Sequence, residues 1–190
     1  DMQAGRWNVT LSGTIAGVVS TSSVAIVDFV SGTWTLTSAA TFNGSGIYYF
    51  STATVSVASR FALTAPGRVD QLVATTTANS SFVVSNVGAP WTVWGGSMTF
   101  VLAPNSFVYV MDQFDVVSGT VTVNGNLRVT TTSTVSGGTV MVNAQLTADT
   151  NLTVSGAATL VNGTGDVVSS AGTGLLVWSS GTMQGPGRTI

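Results

Sequence analysis

Three stretches decide how this chain folds: Ser118-Gly-Thr-Val-Thr-Val-Asn124-Gly-Asn-Leu127, Gly137-Gly-Thr-Val-Met-Val-Asn143-Ala-Gln-Leu146 and Gly156-Ala-Ala-Thr-Leu-Val-Asn162-Gly-Thr-Gly165. They repeat one pattern at a spacing of 19 residues, as Asn124, Asn143 and Asn162 mark. Two further steps back reach Asn105 and Asn86, so five of the ten asparagines share one phase. Apolar residues keep the same phase, in the sets Val116/Val135/Val154, Val121/Val140 and Val123/Val142/Val161. Within each copy apolar and polar residues alternate, which is strand periodicity. Arg128, between inward Leu127 and Val129, and its equivalents Tyr109, Thr147 and Asp166 are expected to face outward.

A period near 20 with short Val/Thr strands, Gly or Asn at recurring corners and no helical periodicity defines a solenoid of β-coils. A single turn is too small to bury its own apolar face, whereas stacked turns pair strand on strand at about 4.8 Å and bury like on like. The asparagine phase then has a physical purpose. Asn tolerates the left-handed backbone of a tight corner, and stacked amides hydrogen-bond from coil to coil. An antiparallel sandwich with Asn at its hairpin turns is the competing reading, but strands that reverse direction need no identical words at constant spacing. The first third repeats as well, since Leu11-Ser-Gly-Thr-Ile15 and Val30-Ser-Gly-Thr-Trp34 again lie 19 apart. Between Leu36 and Asn86 the phase slips, which predicts longer coils or loops at Asn43-Gly-Ser-Gly46, Pro66-Gly-Arg68 and Thr75-Thr-Thr-Ala-Asn79. The expectation is an all-β chain forming a single β-solenoid over residues 1–190. It is a right-handed parallel β-helix of about ten coils, the hand following from the crossover preference.

Composition narrows the chemistry. Val (30), Thr (30), Ser (23) and Gly (22) fill more than half the chain; all five cations are Arg, all seven anions are Asp, and Lys, Glu, His and Cys are absent. That removes imidazole acid–base catalysis, thiol nucleophiles, Schiff-base lysines, Cys/His metal sites and disulfides. A net charge of −2 offers no basic footprint for nucleic acid. Mean hydropathy is +0.46, yet no apolar run approaches the ~18 residues of a spanning helix, and the constant repeat argues against a transmembrane barrel. The chain is therefore expected to need no cofactor and to insert in no membrane. Asp1-Met2 is not an ordinary translation start, so the chain is read as a processed product or a segment of a longer protein or assembly.

The words Val177-Trp-Ser-Ser-Gly-Thr-Met-Gln-Gly-Pro-Gly-Arg-Thr189 and Val93-Trp-Gly-Gly-Ser-Met98 resemble the Trp/Gly/Met repeat words of large extracellular parallel β-helix proteins. With its asparagine phase, the whole chain resembles the pectin-lyase-like right-handed β-helix superfold, of the adhesin and surface-repeat type. The resemblance implies an extracellular or cell-surface location. Its enzyme members cleave polysaccharides with clustered Asp or Glu beside Arg or Lys, or with calcium on carboxylates.

The best such cluster here is Asp112, Asp115, Asp149, Asp166 and Arg128, close in coil phase but spread over four coils. Arg128 and Asp166 share a phase two coils apart, about 10 Å, and Asp112 and Asp149 are nearly in phase at a similar separation. That spacing is at the outer edge of what an inverting glycosidase uses, and sparse charges that keep an apolar rod soluble account for the same residues. No residue is assigned as catalytic, cofactor-binding or metal-binding; Gly163-Thr-Gly-Asp166 is an isolated fragment of a calcium-repeat pattern. No Thr-x-Thr pair persists over enough coils for an ice-binding ladder. Sequons occur at Asn8, Asn43, Asn79, Asn151 and Asn162, of which the first four lie outside the asparagine phase and are the glycosylation candidates. Trp7, Trp34, Trp91, Trp94, Trp178, Tyr48, Tyr49 and Tyr109 are able to stack on sugars, although core packing and end-capping account better for the tryptophans.

The leading expectation is a non-catalytic, glycosylated extracellular shaft, structural or adhesive, that assembles into a surface layer, appendage or filament. Its partners are copies of itself or the rest of its parent chain, met through open solenoid ends, and glycans. The alternative is a secreted polysaccharide-active enzyme or carbohydrate-binding module on the same rod. A groove of aromatics flanked by Asp on one sheet favours the second; plain Ser/Thr faces favour the first.

Overall fold

A computed structural model describes residues 3–57, 62–64, 67–79, 90–101, 108–169 and 174–190. Among these residues the regular structure is all strand, every strand pairing is parallel, and the strands stack into a β-solenoid. A typical coil contributes three short strands, as in Gln113–Val116, Thr120–Val123 and Asn126–Val129. Two long sheets are each nine strands deep, and the third face is built from sheets of four and three strands.

Alternation puts one row of side chains inside. In the first long sheet the inward columns run Trp7–Val27–Tyr48–Val69–Trp91–Phe114 and Val9–Phe29–Phe50–Gln71–Val93–Val116–Val135–Val154–Trp178. The second sheet adds Leu36, Val55, Val57, Met98, Phe100, Val121, Val123, Val140, Val142 and Leu160, all buried in one continuous core. At about 25 cal/mol per Å² of apolar surface, such columns are the main stabilising term.

The spacing departs from the expected ten coils of 19. Val116, Val135 and Val154 keep steps of 19, but Ile26↔Ile47 and Ile47↔Arg68 are steps of 21, and Trp91↔Phe114 is a step of 23. The 21-residue steps pass around Phe29, Phe42, Tyr48 and Phe50 and the 19-residue steps around Val and Leu, but Val154↔Trp178 is a step of 24 over Val154, Leu160 and Val167, so core volume alone does not set coil length. Phe42 stacks on Tyr48 with centroids 4.3 Å apart, Phe29 meets Phe50 edge-on at 5.3 Å, and Phe50 meets Trp91 at 5.7 Å.

Two register expectations are corrected. Asn143 donates through Nδ2 to Asn124 Oδ1 at 2.8 Å, but Asn162 pairs with Val142 inside strand Thr159–Asn162. Gly163 takes the position against Asn143, where an added Cβ would lie 2.1 Å from Asn143 Oδ1. The turn Ser155-Gly-Ala-Ala158 is one residue longer than Ser136-Gly-Gly138, so Thr139↔Thr159 is a step of 20 and the phase slips by one. Asn86 and Asn105 lie outside the described residues. On the third face Tyr109 pairs with Leu127 rather than Arg128. Asp166 pairs with Gln145, and the residue reached from Arg128 through Thr147 is Val168. Arg128 and Asp166 thus share no phase.

Candidate functional site

The outward face of the first long sheet carries a column that runs Asp28, Tyr49, Asp70, Thr92, Asp115, with Thr134 and Thr153 continuing it. Between Asp112 and Thr134 the ladder changes register. Met111↔Val129 is a step of 18 and Val116↔Val135 a step of 19, so the later coil holds one extra residue in Thr130–Thr134. The extra residue lengthens the corner between Asn126–Val129 on the third face and Ser133–Val135 in the first long sheet. Two backbone N–H groups there turn to side chains: Phe114 N–H donates to Ser133 Oγ at 3.0 Å, and Thr134 N–H donates to Asp115 Oδ1 at 2.8 Å. Over this corner lies an open groove of about 660 Å³, lined by Thr92, Gln113, Asp115, Thr131, Thr132 and Thr134 with Trp94, Val117 and Ser136 along one side.

Asp115 is the central polar group. Gln113 Nε2 donates to its Oδ2 at 2.6 Å, and both residues line the groove. Burial pushes the Asp115 carboxyl above the ordinary carboxylate value, and the hydrogen bonds from Gln113 and Thr134 N–H oppose that shift. Asp70 is also raised, again through burial, against Arg68 and the Trp94 indole; Arg68 Nε donates to its Oδ2 at 3.0 Å.

Trp94 is half exposed in the middle of the rod, at 50%. Its turn permits little else. Gly96 has φ +74°, and an added Cβ there would lie 2.2 Å from Ala74 O, while one on Gly95 would lie 2.4 Å from Leu72 O. Gln71 locks the same corner from inside the core, donating to Ala74 O and Ser97 O at 2.9 Å each. Trp94 N–H donates to Gln71 O at 2.8 Å, and the Ser118 hydroxyl donates to Trp94 O.

The residues expected to carry chemistry are dispersed. Asp112 is buried and accepts from Thr130 Oγ1 at 2.7 Å. Asp149 follows Asp112 in phase through Thr130 but is gripped by Arg128, whose Nε lies 2.8 and 3.0 Å from its two oxygens. Asp166 is held by Arg188 at 2.7 Å, and that guanidinium lowers its pKa. Of the five, only Asp115 lines the groove.

Trp91 is buried, Trp34 donates to Ser31 O at 3.1 Å against the core, and Trp7 and Trp178 sit on the end coils. Core and end positions thus account for four tryptophans but not for Trp94. Tyr48 is buried and donates to Asn43 O at 2.7 Å, and Arg6 lies over the Tyr49 ring at 5.5 Å. The sequon residues Asn8, Asn43, Asn79 and Asn151 are all exposed. Sequence reasoning missed Gln113, Thr134 and the longer corner. The available signal was the glycine pair after Trp94 and the outward phase of Gln113 and Asp115 in a strand that buries Phe114 and Val116.

No family model, curated protein or solved structure matches the chain.

Proposed function

We propose that the chain is a non-catalytic structural and adhesive shaft of an extracellular or cell-surface assembly, wound right-handed as parallel crossovers favour. The observation that carries this reading is the pairing of its carboxylates. Asp28 is held by Arg6 and Ser51, Asp70 by Arg68, Asp112 by Thr130, Asp115 by Gln113 and Thr134, Asp149 by Arg128, and Asp166 by Arg188. Five of these six carboxylates bond a residue of a neighbouring coil, and Asp70 is salt-bridged within its own strand, which suits a scaffold better than an acid–base pair. Exposed Asn8, Asn43, Asn79 and Asn151 supply places for glycans that would keep so apolar a rod soluble.

Assembly follows from the ends. Inward residues of the first coil, Trp7, Val9, Ile15 and Val19, surround an apolar cavity of about 150 Å³, and Trp178 on the last coil is 56% exposed. Uncovered coils present unpaired backbone groups as well as apolar side chains, and a further coil satisfies both. In this reading that coil comes from a second copy of the chain. Electron microscopy and light scattering of the isolated chain test this: head-to-tail association is expected, without turnover of pectin, alginate or chitin. A chain that stays monomeric at high concentration and degrades one of these polymers overturns the reading.

A further inference from the structure

We propose that the groove beside Trp94 binds a neutral, equatorially hydroxylated glycan, with one pyranose ring stacked on the Trp94 indole and the next hydrogen-bonded by Gln113, Asp115 and Thr134. The proposal rests on the adhesive part of the reading above and supplies its ligand and residues.

Trp94 carries the argument first. An indole half exposed in mid-rod is held in place by a glycine-dependent turn, by the buried Gln71 amide and by its own contact with Asp70. A flat apolar surface fixed in this way is a stacking platform, and a sugar ring whose hydroxyls are equatorial offers matching C–H faces. The polar groups are arranged to suit hydroxyls. Each sugar hydroxyl donates one hydrogen bond and accepts others; the Asp115 carboxylate accepts, while the Gln113 amide, 2.6 Å from it, supplies both a donor end and a carbonyl. Hydroxyls of Thr92, Thr132 and Thr134 line the remaining floor.

Charge selects against acidic sugars. Asp70 and Asp115 stand one rung to either side of Thr92, and the neighbouring cation, Arg68, is already paired with Asp70. A uronate placed here would meet the Asp115 carboxylate, and no cation is among the described residues that line the groove. Length sets the size of the ligand: the rungs of Thr92, Asp115 and Thr134 span two intervals of about 4.8 Å, which accommodates two rings. The column continues through Thr153, so a longer chain would lie along the rod axis.

Calorimetric titration with cellohexaose, and with hexagalacturonate as the acidic counterpart, tests the site. Wild type is expected to bind cellohexaose and to bind hexagalacturonate at least tenfold more weakly, with Trp94→Ala and Gln113→Ala each weakening cellohexaose at least tenfold while circular dichroism shows the strand fold retained. If Trp94→Ala unfolds the rod, Trp94→Leu and Gln113→Ala decide, since neither removes core volume and Leu lacks the flat stacking face. Cellohexaose binding that survives these substitutions overturns the site while leaving adhesion elsewhere on the shaft intact. A preference for hexagalacturonate overturns the charge argument and the proposal with it. Wild type that binds neither probe overturns both the site and the adhesive reading, while light scattering on the same sample still reads assembly separately.

Discussion

At the scale of single residues, the rod depends on a few polar and glycine positions more than on its many valines. Asn124 and Asn143 share a side-chain hydrogen bond between successive coils. Replacing Asn124 with Leu strands the Asn143 amide in a half-buried corner and should cost about 1–3 kcal/mol in urea unfolding; an unchanged midpoint would remove the pair from the list of stabilising contacts. Gly96 is constrained differently, because its φ of +74° and the nearby Ala74 carbonyl both reject a Cβ. Gly96→Ala should destabilise by about 1–3 kcal/mol through backbone strain and should also displace Trp94, seen as a change in tryptophan fluorescence. Gln71 has the reverse character. It is a polar side chain in a column otherwise occupied by Phe50 and Val93, kept there by the carbonyls its amide satisfies.

At the scale of elements, strands are interchangeable and turns are not. The strand Thr120–Val123 stacks on Thr139–Val142 residue for residue, whereas one extra residue in Thr130–Thr134 lengthens a corner, beside which Asp115 is bonded to a backbone N–H. The raised pKa of Asp115 makes this element sensitive to pH. A carboxyl whose folded pKa exceeds its unfolded one binds its proton more tightly in the native state, so its contribution to stability falls as pH rises from the ordinary carboxylate value through the raised one. Asp70 acts in the same direction, and Asp166, lowered by Arg188, acts in the opposite one, losing its stabilisation as pH falls. The difference between wild type and Asp115→Asn isolates the first of these. Melting temperatures measured from about pH 3 to about pH 8 should show the variant gaining on wild type as pH rises; parallel curves would refute the assignment.

At the scale of the whole molecule, the proposed assembly bears on the outermost described strands of the first long sheet. Trp7 and Trp178 there belong to inward columns yet are 54% and 56% exposed. Trp178→Ser should therefore reduce self-association of the isolated chain several-fold in sedimentation velocity while leaving the melting temperature nearly unchanged. A variant that associates as strongly as wild type would place the contact elsewhere. The mid-rod is the opposite case: its core is continuous from Phe29 to Val154, and its exposed aromatic, Trp94, stands at the groove rather than at an end.

The sequence alone determined the architecture. Copies of Gly-Thr-Val-x-Val-Asn at one spacing admit stacked parallel coils and little else, since only stacking buries each copy's apolar face against its equivalent. It also separated inward from outward residues wherever the period held, as for Val116, Val135 and Val154, because alternation in a strand is local. What depended on the tertiary structure was registration between coils that differ in length. A single inserted residue in Ser155–Ala158 moved Asn162 out of the corner and put Gly163 there. The 23-residue step that stacks Pro90–Val93 on Gln113–Val116 brought Trp94 beside Gln113 and Asp115, and Thr134 follows one coil on, although the four span 41 positions, 94 to 134, in the chain. Local periodicity reports which face a residue takes, but which residues meet across coils depends on every turn length between them, and no local pattern carries that sum.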